Sequence, residues 1–184
     1  MAFNINQFRA EMVKDGARPN LFSVSVSFPF STGVSSKLTF MAHATSLPPS
    51  IVGVASQYYF GRQVKFPGDR QFPDWSITVI NDEDFIIRNA FEVWSDKLNS
   101  HSLNVRATGA INSTTYSADA TVTQYGKDGS QIKTYKFVGL FPSTIDPIGL
   151  DWGSNDRIEE FNVTFSYQYW EAYAGASGGA QVTT

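Results

Sequence analysis

The chain is 184 residues long, with 42% hydrophobic residues, only 17% charged residues, no cysteine and a formal charge of −3. That length suits one domain with ordered arms. The lack of cysteine removes disulfides, thiolate metal sites and thiol nucleophiles, and the acidic balance argues against tight electrostatic binding of nucleic acid. The charged share lies below the usual ~25%, and 15% aromatics point to a β-rich core.

In chain order, Met1-Ala2-Phe3-Asn4 shows no basic run followed by an apolar one, so no signal peptide is expected. No apolar stretch approaches a bilayer span of about 20 residues. Residues 4–14 suit a short helix with Ile5, Phe8, Met12 and Val13 on one side. A helix this short must dock on its own domain or on a neighbour, and Asp15-Gly16 should end it.

From Leu21 to Phe28 apolar residues alternate with Ser23, Ser25 and Ser27, which predicts a strand. Lys37 to Ala44, with Leu38, Phe40 and Ala42 on one face, predicts its hairpin partner. Leu47-Pro48-Pro49 breaks the sheet. Residues 47–70 then carry too much aromatic surface for a disordered loop and predict a projecting hairpin, whose ladder would use Gln57-Tyr58-Tyr59-Phe60 and Gln63-Val64-Lys65-Phe66. Gly68-Asp69-Arg70 reads as a charged turn.

Trp75 to Ile80 predicts a strand. Asn81 or Asp82 is then the expected cap of a helix over 83–98, with Glu83 and Asp84 in its first turn. Ile87, Ala90, Phe91, Trp94 and Leu98 form its apolar stripe. Residues 99–117 read as an irregular insertion. Gly126-Lys127-Asp128-Gly129 marks a hairpin between strands 118–125 and 131–140, 142–148 is a connection, and 158–170 predicts one long final strand. Residues 1–171 thus form a single domain with an arm over 1–20, and the Ala-, Gly-, Ser- and Thr-rich residues 172–184 form a flexible tail. The fold class expected is mainly β, an antiparallel sandwich or barrel with one flanking helix.

No pattern supports catalysis, and no metal or cofactor is expected. His43 and His101 lack metal-ligand spacing, no nucleophile elbow appears, and Asp82, Glu83 and Asp84 read as a cap rather than as paired acid–base groups. Arg62, Lys65 and Arg70 among Tyr58, Tyr59, Phe60 and Phe66 form a basic–aromatic cluster suited to subunit contacts or, alternatively, to base stacking. The nearly uncharged row Asn162, Thr164, Ser166 and Gln168 suggests either a solvent face or a channel wall to which phosphate would not stick.

Several short segments occur in one order: Ala17-Arg18-Pro19-Asn20-Leu21-Phe22, Ala44-Thr45-Ser46-Leu47-Pro48, Gly68-Asp69-Arg70, Asp74-Trp75, Asn81-Asp82-Glu83, Leu150-Asp151-Trp152 and Tyr169-Trp170-Glu171. Through them the chain resembles the tail tube proteins of T-even-like contractile-tailed bacteriophages. The resemblance implies a virion protein, made in the host cytoplasm, that closes into hexameric rings. The rings stack into a tube through which DNA passes without specific binding, and a tail sheath, a baseplate and a tail terminator are the other partners. No membrane anchoring is implied. It makes Arg18, Leu47, Pro48, Tyr58, Tyr59, Arg62, Gly68, Asp69, Arg70 and Trp75 candidates for contacts between subunits or rings, and Asn162, Thr164, Ser166 and Gln168 candidates for the lumen. A terminator or connector ring, a type VI-like secretion tube and a carbohydrate-binding β-sandwich are the alternatives. The first hairpin turn, the 99–117 segment and the residues after Glu171 depart from the family pattern.

Overall fold

A computed structural model describes residues 4–174. Among the described residues, seven of nine strands and four α-helices form a β-sandwich body, and the other two strands form a separate ribbon. The strands are β1 (Phe22–Val26), β2 (Ala42–Thr45), β3 (Ile51–Tyr59), β4 (Arg62–Gln71), β5 (Trp75–Ile80), β6 (Ala118–Tyr125), β7 (Gln131–Ile145), β8 (Glu160–Ser166) and β9 (Tyr169–Ala174). The helices are α1 (Ile5–Glu11), α2 (Val34–Met41), α3 (Ile86–Leu98) and α4 (Ser113–Tyr116).

The body follows the order β1-β6-β7-β8-β5-β2, and β9 also pairs with β7. Strand β7 is long enough to serve two layers. Its first part pairs with β6 and β9, and its last residues, Phe141 to Ile145, pair with β8. The turn between the layers falls at Gly139, where φ is +67° and a Cβ would lie 2.9 Å from Gln168 Cγ. Only glycine meets both demands without strain.

Period-two alternation places Val24, Val26, Ala120, Val122 and Phe137 against Trp75, Ile77, Val79, Phe161, Val163 and Phe165. The Trp75 ring stacks on Phe137 with centroids 4.3 Å apart, so the layers meet through aromatic faces. Helix α3 buries Ile87, Ala90, Phe91 and Trp94 against the same core. Its Trp94 Nε1 donates to the Tyr116 carbonyl at 2.8 Å, which satisfies the one polar group this stripe takes inside.

The structure corrects several expectations. Residues 34–41 are helical and make no hairpin with residues 21–28. Val34 and Leu38, one helical turn apart, are the buried pair, whereas Phe40 is exposed. Strand β1 therefore pairs with β6, and β2 pairs with β5. The 83–98 helix begins at Ile86, not in the acidic run. Phe85 takes the left-handed region at φ 52°, and the carboxylates cap from outside the helix: Asp84 Oδ1 accepts from the Ile86 N–H at 3.1 Å. Lys37 of α2 bridges Asp82, at 2.9 Å, and Asp84, tying the two helices together.

Residues 68–70 lie inside β4 beside a bulge and do not form a turn. Strand β7 continues through Pro142, where 142–148 was expected to be a connection. The expected final strand 158–170 is two strands, because the inward phase ends at Tyr167 and resumes at Trp170 and Ala172 as the chain passes between layers. Residues 172–174 of the expected tail belong to β9, and residues 175–184 lie outside the described residues. The helix expected over 4–14 ends at Glu11.

Candidate assembly interface

Among the described residues the β3–β4 ribbon pairs with no other strand. Its two-residue turn, Phe60-Gly61, has φ +47° and +78°, the mirror-image geometry that matches strand twist. A bulky aromatic is an unfavourable choice at such a position, so the tip holds Phe60 where local preference would place Asn or Gly. Phe60 is 91% exposed and meets Tyr59 edge to face at 4.6 Å. Tyr58, Tyr59, Val54 and Phe66 are exposed as well. No ribbon residue is buried. A lone hairpin is marginal in water, and among the described residues no apolar side chain of this one joins the core.

The root is held by the body. Trp75 Nε1 donates to the Ser46 carbonyl at 3.0 Å, and Trp170 Nε1 donates to the Pro49 carbonyl at 3.2 Å. Arg70 reaches Ser50 Oγ at 3.3 Å. Gly53 and Gly68 face each other at the bulge, where a Cβ on Gly68 would lie 3.1 Å from the Gly53 carbonyl carbon.

The sequence-predicted contact residues divide by position. Leu47 is exposed and Pro48 half-buried at the root; Tyr58, Tyr59 and Arg62 stand near the tip; Gly68, Asp69 and Arg70 lie in β4 nearer the body. Arg18 is exposed on the link after α1. Among the described residues no ion pair within the chain involves Arg18, Arg62, Lys65, Asp69 or Arg70. Trp75 is the correction. It is 2% exposed and belongs to the core, so it steers the ribbon root and offers nothing to a neighbour.

A second unsatisfied surface is the N-terminal arm, where Ile5, Phe8, Met12 and Val13 are all exposed. Two reciprocal ion pairs fasten the arm to the 126–129 turn, Lys14 to Asp128 at 2.6 Å and Lys127 to Asp15 at 3.3 Å. The Lys14 ammonium and the Ser130 hydroxyl and N–H hold the Asp128 carboxyl well below the ordinary carboxylate range. A third lies before β8, where Leu150, Trp152 and Ile158 are exposed. Three large apolar residues within nine positions are the signal of this surface in the sequence.

The polar row sits on the outer face of the β7–β8–β5–β2 layer. Asn162, Thr164 and Ser166 alternate with the buried Phe161, Val163 and Phe165. Thr78 Oγ1 donates to Asn162 Oδ1 at 2.7 Å, and Ser143 Oγ donates to the Thr164 carbonyl at 3.1 Å. At the end of this row His43 Nδ1 lies 2.8 Å from Glu160 Oε1. Gln168 leaves the row: it lies in the break between β8 and β9, its N–H bonds the Val138 carbonyl, and its side chain packs on Gly139. Among the described residues no cluster of metal-ligating side chains occurs, and no helix is long and apolar enough to cross a membrane.

Fold and surface define a structural β-sandwich subunit. The family model described as phage tail tube protein matches residues 6–173, and the chain belongs to that family. It is 35% identical to tail tube protein gp19 of Enterobacteria phage T4 over 158 residues, 85% of this chain and 92% of that one. It is 28% identical to the tail tube protein of Serratia phage KSP90 over 178 residues, 94% and 98% of the two chains. The fold is similar to chains in the cryo-EM structures of the anti-feeding prophage baseplate (TM-score 0.64, 12% identity, 86% and 96% covered) and of its tube terminating cap (0.64, 14%, 88% and 93%). It is also similar to a chain in the PVC sheath-tube complex of an extracellular contractile injection system (0.58, 18%, 94% and 99%). The protein is a tail tube protein, a component of the virion.

Proposed function

We propose that the chain polymerises as stacked hexameric rings into the inner tube of a contractile tail, with DNA passing down the bore. The observation that carries this reading is the β3–β4 ribbon, rooted rigidly by two indole donors yet exposing its aromatics. Monomers rarely keep such a surface uncovered, and a projecting element that meets a different surface of the next copy generates rings or stacks. The apolar side of α1 supplies another contact of the same kind. Arg18, Arg62, Asp69 and Arg70 are the ion-pair partners offered to neighbours, with Leu47, Pro48, Tyr58, Tyr59 and Gly68 contributing contact surface.

The row Asn162, Thr164 and Ser166, with Ser76 and Thr78 beside it, is the proposed wall of the bore. Short hydroxyl and amide groups give phosphate no fixed cation, so DNA slides without counterion-release binding. A sheath around the tube, a baseplate beneath it and a terminator above it are the proposed partners, on the pattern of the contractile systems that share the fold. The similarity to a tube terminating cap supports a second reading, a ring that does not elongate. The two separate in a sedimentation experiment on the purified chain and on a variant with residues 54–67 replaced by a short Gly-Ser link. The tube reading expects pelletable polymer from the parent chain and folded, unpolymerised protein from the variant. Discrete rings from the parent favour the terminator.

A further inference from the structure

The ribbon root and the 148–160 loop lie at opposite ends of one layer. Strand β5 runs from Trp75, beside the root, to Ile80, while the antiparallel β8 pairs Phe165 with Trp75 and Glu160 with Ile80. The loop enters β8 at the Ile80 end, so about 20 Å of strand separates the two features. The loop frames an open cleft of about 740 Å³ whose walls include Ile148, Leu150, Trp152, Arg157, Ile158 and Glu160. Trp152 is fully exposed, Leu150 is largely so and Ile158 is about two-thirds exposed.

We propose that this cleft receives the aromatic tip of the ribbon from a second copy of the chain. The pairing rests on the tube reading and deepens it by naming the receptor. Three features match. Both surfaces are apolar and uncovered, with Tyr58, Tyr59 and Phe60 on one side and Leu150, Trp152 and Ile158 on the other. Their charges are opposite: the ribbon carries Arg62, Lys65 and Arg70 against Asp69, whereas the loop carries Asp151, Asp156, Glu159 and Glu160 against Arg157. Their positions at opposite ends of a layer are what head-to-tail stacking needs, because such an interface joins two different patches of identical subunits. The exposed side of α1 fits the cleft less well, since Arg9 of that helix is balanced by Glu11. Strand β3 has nine residues, about 30 Å of reach, enough to carry the tip past its own body.

The chain has no cysteine, so single cysteines report contacts cleanly. Gln63→Cys, near the tip, and Ser154→Cys, in the loop, are each exposed. The two variants are mixed, allowed to assemble and treated with a short bis-maleimide, with tube formation followed by electron microscopy of the same samples. The pairing predicts covalent dimers in the mixture and none in either variant alone. Tubes without the cross-link overturn the pairing and leave the tube reading intact. Failure of the parent chain to form tubes strikes the tube reading, and the pairing with it. A second variant, Trp152→Ser, removes a side chain that supports no core, so the monomer should keep its melting temperature while tube elongation slows at least tenfold. Elongation of folded Trp152→Ser at the parental rate also overturns the pairing.

Discussion

Replacing Phe60 by Asn separates the stability of the subunit from the stability of the tube, because the two effects have opposite signs. In the monomer Phe60 sits at φ 47° beside Gly61 at φ 78°, the conformation that Asn-Gly favours. The substitution relieves a left-handed strain of about 1 kcal/mol and removes no buried contact, since the ring is 91% exposed. In the tube the ring is an aromatic anchor. A phenylalanine buries roughly 200 Å²; at about 25 cal/mol per Å² that gives an upper bound near 5 kcal/mol, and truncation of a buried interface anchor typically costs about 2–4 kcal/mol. The critical concentration for polymerisation should therefore rise about 30- to 1,000-fold, at 1.36 kcal/mol per decade. The melting temperature of the monomer should stay level or rise. Pelleting across a concentration series gives the first quantity, and thermal unfolding of unpolymerised protein gives the second. A critical concentration unchanged within threefold would refute the role of the tip, and a lowered melting temperature would refute the claim that the ribbon is independent of the core.

Arg70→Glu, which reverses a ribbon cation that has no carboxylate partner among the described residues, should block tube growth and leave the monomer folded; normal tubes from this variant would contradict the assigned contact. Gly139→Ala should destabilise the fold by about 1–2 kcal/mol, because φ is +67° and Gln168 leaves no room for a Cβ, and urea unfolding of the variant measures it. Lys37→Ala removes the cation that depresses Asp82 and Asp84 and is itself raised by them. Carboxylates depressed in the folded state stabilise it above their ordinary 3.8 and lose that contribution as pH falls through the depressed values. The raised Lys37 contributes below its ordinary 10.5 and loses its contribution as pH rises through the raised value. The stability gap between parent and variant should thus be widest between about pH 5 and 9 and close at both extremes. A gap independent of pH would mean that the triad does not act through charge.

The segments whose period was unambiguous were legible in the sequence. Phe161, Val163 and Phe165 alternate with polar residues and form β8; Ile87, Ala90, Phe91 and Trp94 lie on one helical side and form the buried stripe of α3; Gly126 to Gly129 turns the β6–β7 hairpin. Lys37 to Ala44 reads as a strand because Leu38, Phe40 and Ala42 alternate, whereas Val34 and Leu38, one turn apart, fit the helix that forms over Val34–Met41. Tertiary packing chose the pair that could reach the core. The glycine inside the strand pattern is a local hint of the passage at Gly139, but the passage itself depends on which strands β7 can reach at once. At the candidate interface the ribbon was visible as surplus aromatic surface, whereas Trp75, singled out as a contact, is held inside by its stack on Phe137. Its role as the anchor of the ribbon root depends on an indole bond to Ser46, 29 positions away, a partner that no sequence period encodes.

The central claim is most directly tested by negative-stain electron microscopy of the purified chain over a series of concentrations and times. The account predicts hollow tubes of uniform width, built from stacked six-membered rings, that lengthen with concentration. Protein that stays monomeric, or that stops at single rings even when baseplate seeds are added, would contradict it.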